Sequence, residues 1–138
     1  MTIITETFHV ITKGFTDIVN LTPRVEEILD RLKIEDGQLL VHIPASTASI
    51  TTIEYEPGLL KDLPAALEKL VPQDAVYKHD ETWQDNNGYA HVRASILGNS
   101  KVFPIVKGEL YNGKWQQIIL IDFDNKPRTR NIVVQVVY

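Results

Sequence analysis

The run Ile118-Ile119-Leu120-Ile121 constrains the fold more than any other stretch of this chain. Its branched aliphatic side chains favour extended backbone, and on a strand successive side chains point to opposite faces. Both faces of this strand are therefore apolar, and neither can be left against bulk water. Either two further layers of the same chain cover it or a neighbouring subunit does. A chain of 138 residues, 43% of them hydrophobic, is long enough to bury one core but not two, so a single domain over residues 1–138 is expected.

The flanking segments indicate what those layers are made of. Thr2 to Ile11 interleaves polar with β-branched apolar residues, the pattern of a strand with one wet face. Thr22 as a hydroxyl N-cap, Pro23 at the first helical position and apolar Val25, Ile28, Leu29 and Leu32 predict an amphipathic helix from about Thr22 to Lys33. After the Asp36-Gly37 turn, Gln38 to Ile43 and Ala48 to Tyr55 read as a pair of strands. Leu59 to Leu70 returns to helical spacing, with Pro64 expected to kink the helix or restart it. Gln73 to Gly88 is polar and reads as one long loop, and Tyr89 to Leu97 as a short helix ended by Gly98. From Ser100 onward, strand-like runs alternate with turn signals at Asn112-Gly113 and Asp124 to Pro127, which suggests a β-meander.

Several function classes are set aside by composition. The chain has no cysteine, which removes disulfides, thiolate metal sites and cysteine nucleophiles and suits a reducing, cytoplasmic setting. Neither a signal peptide nor a membrane span is expected, since Met1 to Val10 lacks a basic start and an unbroken apolar run. With 18 acidic against 14 basic residues, and the one basic cluster confined to Lys126 to Arg130, nucleic acid is not an expected partner.

Candidate chemistry centres on His79, in the polar loop, and His91, at the start of the following helix. Ser95 lies at i+4 from His91, on the same helix face, and both can point at the loop. Two imidazoles with Asp80 or Glu54 would hold a zinc-like cation; the same histidines would equally serve to bind phosphate or shuttle a proton. His42, inside an apolar strand, and His9, on a wet face, read as structural.

Four short segments carry a resemblance. Tyr77 to Asp80 (YKHD), Ala90 to Gly98 (AHVRASILG), Gly108 to Leu110 (GEL) and Gly113 to Gln116 (GKWQ), with Pro44 to Glu54 (PASTASITTIE) before them, resemble in order the HTSASLTLNE, HD, AHIKxSLLG, GxL and GTWQ elements of the YjbQ-like family, which is similar to secondary thiamine-phosphate synthases. The resemblance implies an α+β fold, mostly antiparallel and sandwich-like with two or three short helices. It also implies a homotrimer and the joining of hydroxymethylpyrimidine diphosphate to a thiazole phosphate with loss of pyrophosphate, usually with a divalent metal ion, zinc or magnesium. Matched residue by residue, it implies catalytic roles for His79, His91, Glu54 and Asp80, metal binding by His79 and His91, and contacts to a phosphorylated small molecule from Ser46, Thr47, Ser95, Trp115 and Gln116. The family's first histidine falls on Ala45, the asparagine after its glutamate on Tyr55, and the small hydroxyl residue of GTWQ on Lys114. Three readings follow: a thiamine-phosphate-synthase-like transferase, a trimeric binding protein that has lost its chemistry at Ala45, and a metal-dependent hydrolase.

Overall fold

The computed structural model describes all residues 1–138. Two antiparallel sheets make up most of it. The larger has the order β1 (Ile3–Thr12), β8 (Arg128–Val137), β3 (Gly37–His42), β5 (Ser100–Val106) and β6 (Glu109–Leu110); the smaller has β2 (Asp17–Asn20), β7 (Gln117–Asp122) and β4 (Ala48–Ile53). Four helices accompany them: α1 (Thr22–Leu32), α2 (Leu59–Leu70), α3 (Lys78–Trp83) and α4 (Gly88–Leu97). The fold is thus α+β and mainly antiparallel. None of the helices is long and apolar enough to cross a membrane.

The two-faced run occupies β7, the middle strand of the smaller sheet, and all four of its residues are fully buried. Ile118 and Leu120 pack into a core shared with α1 and the larger sheet, while Ile119 and Ile121, with Phe123, pack against Leu67 of α2 and Tyr89, Ala90 and Ala94 of α4. Sheet, sheet and helices form three layers around this one strand. At about 1.5–3 kcal/mol for each large aliphatic side chain taken out of water, these four residues alone are a major source of stability.

Several local expectations change on contact with the tertiary structure. Gln38–Ile43 and Ala48–Tyr55 do not pair with each other: β3 lies between β8 and β5, and β4 pairs with β7 in the other sheet. The C-terminal third is no meander, because β7 and β8 belong to different sheets and β8 inserts between β1 and β3. Thr22 does not cap α1 with its side chain; its hydroxyl instead accepts the Ile118 N–H at 2.8 Å, while Asn20 Oδ1 accepts the Thr22 N–H. Helix α2 runs on through Pro64, held at its start by Glu56, whose carboxylate accepts the Gly58 and Leu59 N–H groups. The polar stretch before α4 is not all loop, since Lys78–Trp83 forms α3 without burying any of its residues.

Candidate functional site

Helices α3 and α4 meet at a close approach that glycine permits. A Cβ on Gly88 would lie 2.5 Å from the Tyr77 Cβ, inside any allowed contact. The Asp80 carboxylate accepts the Gly88 N–H at 3.0 Å, so Asp80 ties the two helices together. The junction brings His79 of α3 against His91 of α4, with ring centroids 4.2 Å apart and planes inclined by 44°. His79 Nε2 lies 3.0 Å from Asn87 Oδ1 and 3.3 Å from Asp85 Oδ1. Burial pulls the His91 pKa below the ordinary 6.5, and the neighbouring His79 pulls it further in the same direction. The neutral imidazole is therefore the favoured form of His91 at pH 7.

One turn along α4, Ser95 joins His91 on the wall of an open cavity of about 440 Å³, whose other lining residues are Ala45, Ser46, Ala94, Gly98 and Asn99. Ala45, where the family pattern has a histidine, faces the same space as His91. This wall is predominantly small and polar, with two hydroxyls, an amide and an imidazole. Such a set can hydrogen-bond a small oxyanion or hydroxylated ligand.

Beneath the cavity lies a charged cluster that sequence reasoning did not find. Period-two alternation places Asp122 on the same face of β7 as Ile118 and Leu120, and Arg130 on the same face of β8 as Ile132, Val134 and Val136. The two meet in the interior: Arg130 Nε and an Nη donate to the two Asp122 oxygens at 2.7 and 2.8 Å, and the Thr12 hydroxyl donates to the same carboxylate at 2.6 Å. Asp124, also fully buried, accepts from Arg128, Thr47 and Asn87. Burial raises the Asp124 pKa, but the Asn125 backbone N–H, Arg128 and Asn87 outweigh it and hold the carboxyl below its ordinary value. The available signal was a charged residue at one end of each of two aliphatic i, i+2 rows, Asp122 on β7 and Arg130 on β8.

The remaining candidates separate from this site. Thr47 is buried, and its hydroxyl is engaged by Arg130 at 2.7 Å and Asp124 at 3.3 Å, so it supports the loop of Ala45 and Ser46 rather than lining the cavity. Glu54 and Trp115 line a different cavity of about 290 Å³ together with Tyr55 and Lys114. Strand β4 separates Thr47 from Glu54, a span of roughly 20 Å at about 3.3 Å per residue, so within one chain Glu54 does not join the histidines. Lys114 is exposed, with its Nζ 4.8 Å from the centroid of the likewise exposed Trp115 ring. Gln116 Oε1 accepts the Gly113 N–H at 2.7 Å and closes the turn. His42 Nδ1 meets Ser100 Oγ at 3.0 Å, a structural contact.

Within a single chain, His79 and His91 are not joined by a third side chain that would complete a divalent-cation site. Nowhere do three or more His, Asp or Glu side chains gather so as to hold a metal ion, and two imidazoles fall short of the ordinary zinc ligand count.

The family model for UPF0047 protein YjbQ-like matches residues 6–138. The chain belongs to that family. Similar members include a UPF0047 protein of Archaeoglobus fulgidus, 41% identical over 119 residues that cover 86% of this chain and 90% of the relative, and UPF0047 protein YjbQ of Salmonella typhimurium, 36% identical over 82% of this chain and 75% of the relative. Among solved structures, a protein of unknown function from Sulfolobus solfataricus superposes with a TM-score of 0.92 at 31% identity, covering 98% of this chain and 96% of that one. A UPF0047-family protein of Clostridium acetobutylicum gives a TM-score of 0.87 at 31% identity, over 96% and 99% respectively. The YjbQ-like fold is thus shared along nearly the whole chain.

Proposed function

We propose that the cavity beside the His79–His91 pair takes a phosphorylated small molecule, and that the chain is a weakened thiamine-phosphate-synthase-like transferase. The observation that carries this reading is the convergence of His91, Ser95 and Ser46, from two separate family-matched segments, on one polar cavity. In the proposed reaction the thiazole nitrogen attacks the methylene carbon of the pyrimidine diphosphate. A C–N bond forms, the C–O bond to the diphosphate breaks, and pyrophosphate leaves with the electron pair. Hydroxyls and an imidazole around the leaving group would stabilise its growing charge. Ala45 offers this charge only a methyl group on the same wall.

Ala45 also favours a second reading, a binding protein that holds the phosphorylated ligand without turning it over. Thiamine phosphate formation from the two precursors, with magnesium supplied, is to be compared between the unmodified protein and Ala45→His. Turnover by the unmodified protein supports the transferase. Turnover by Ala45→His alone identifies loss of chemistry at that position. If neither turns over but pyrophosphate still protects the fold against heat, the binding reading stands.

A homotrimer is part of the proposal. Glu54 and Trp115 lie at the opposite end of β4 from the histidines, so a head-to-tail contact between copies is the way to bring both family-matched groups to one ligand. Exposed Val92 and Ile96 on α4 provide apolar surface for such a contact. Light scattering of the purified protein tests it, a monomeric mass being the adverse result.

A further inference from the structure

We infer that Asp124, acting through Asn87, is a positioning residue for His79, fixing its imidazole with the proton on Nε2. The inference rests on the reading of His79 as a site residue for its functional weight, but its geometry stands without it.

An ionised carboxylate only accepts hydrogen bonds. Asp124 Oδ1 faces the Asn87 side chain, with Nδ2 at 3.3 Å, and also accepts the Asn125 N–H at 2.8 Å. Its other oxygen takes Arg128 Nε at 2.8 Å and the Thr47 hydroxyl at 3.3 Å. Because both Asn87 and Asp124 are buried, water is not at hand to replace a lost partner. The Asn87 amide must then turn its NH2 toward Asp124 and its carbonyl oxygen toward His79. That oxygen accepts only, so the ring nitrogen 3.0 Å away, Nε2, carries the hydrogen. Asp85 Oδ1, 3.3 Å from the same nitrogen, makes the same demand from the exposed side. In the neutral ring Nδ1 is left with the lone pair, as the nitrogen able to accept a proton or a ligand's hydrogen bond. A flipped amide would set carbonyl oxygen against carboxylate and NH2 against Nε2–H, mispairing both ends of the relay.

The same residue also anchors the second histidine. The Asn87 backbone carbonyl accepts the Ala90 and His91 N–H groups at the start of α4, so both imidazoles hang from Asn87. Through Thr47, Asp124 steadies the loop that carries Ala45 and Ser46 as well. One buried carboxylate thereby braces three sides of the site.

The test is the nitrogen NMR signature of the four histidine rings in the 15N-labelled protein, recorded well above the imidazole titration range. Expected for His79 are a protonated Nε2 and an unprotonated Nδ1 at their limiting positions, without averaging. Asn87→Ala should move both signals toward the averaged positions of an imidazole exchanging tautomers in water, with His9 and His42 unmoved as reporters of an intact fold. Asp85→Ala should leave the His79 signals in place. Asp124→Asn, if folded, should loosen the lock in the same direction as Asn87→Ala. A proton on Nδ1 in the unmodified protein, signals unchanged by Asn87→Ala, or release of the lock by Asp85→Ala would each overturn the inference. A locked tautomer freed by Asn87→Ala, in a protein that neither binds pyrophosphate nor forms thiamine phosphate, would uphold the positioning role and sink the functional reading.

Discussion

Replacing Arg130 by methionine should be the most damaging single change that leaves the cavity wall itself untouched. Arg130 makes two hydrogen bonds to Asp122 at 2.7 and 2.8 Å and one to Thr47 at 2.7 Å, all in the interior. Without the guanidinium, the fully buried Asp122 carboxylate keeps the Thr12 hydroxyl and the Asp124 N–H but no positive partner. Removing one member of a buried ion pair costs about 3–5 kcal/mol, because the other charge stays desolvated. With a urea slope of about 2 kcal/mol/M for a domain of this size, the unfolding midpoint should fall by roughly 2 M at constant slope. Protein concentration must be held fixed, so that any subunit association contributes equally to both samples. The double variant Asp122→Leu/Arg130→Met removes both charges and should recover most of the loss. A midpoint shift under about 0.5 M for the single variant, or a double variant as unstable as the single, would refute the claim that the pair is buried and interdependent.

Other outcomes follow from the same geometry. The Tyr89 hydroxyl is buried without a hydrogen-bond partner and its pKa is pushed up to about 12, chiefly by burial. Tyr89→Phe should accordingly leave stability unchanged or raise it by about 1 kcal/mol in urea unfolding; a loss of that size would reveal a partner for the hydroxyl. Gly88→Ala drives a Cβ into Tyr77 and should cost about 1–3 kcal/mol. It should also disturb the ring contact of His79 and His91, read from their NMR shifts. The pKa of His91 is lower folded than unfolded, so its neutral form contributes stability above pH 6.5 that is lost as pH falls through the folded value. An NMR titration should place His91 below 6.5, and closer to it in His79→Ala; titration at or above 6.5 in the unmodified protein would contradict the burial argument.

Much of this molecule is legible as local pattern. The two-faced run of β7, the alternation of β1 and the spacing of α1 and α4 all depend on side-chain periodicities that span fewer than a dozen residues. His91 and Ser95 share the cavity for the same reason, an i, i+4 relation that any helix enforces. Such features follow from backbone geometry whatever the rest of the chain does.

What depends on distant residues was not legible. Adjacent strands β3 and β4 part into different sheets, and α3 condenses from a polar stretch although none of its own six residues is buried. Thr47 turns inward to Arg130, 83 positions away, and Glu54 is carried to the far end of β4 from the histidines it accompanies in the family pattern. Asp122 and Arg130 look like surface charges beside a turn until two sheets close over them. A charge can remain in a core only where an opposite charge and oriented hydrogen bonds await it. That pairing is a property of the packed layers, and it comes into being when segments far apart in the chain arrive at the same place.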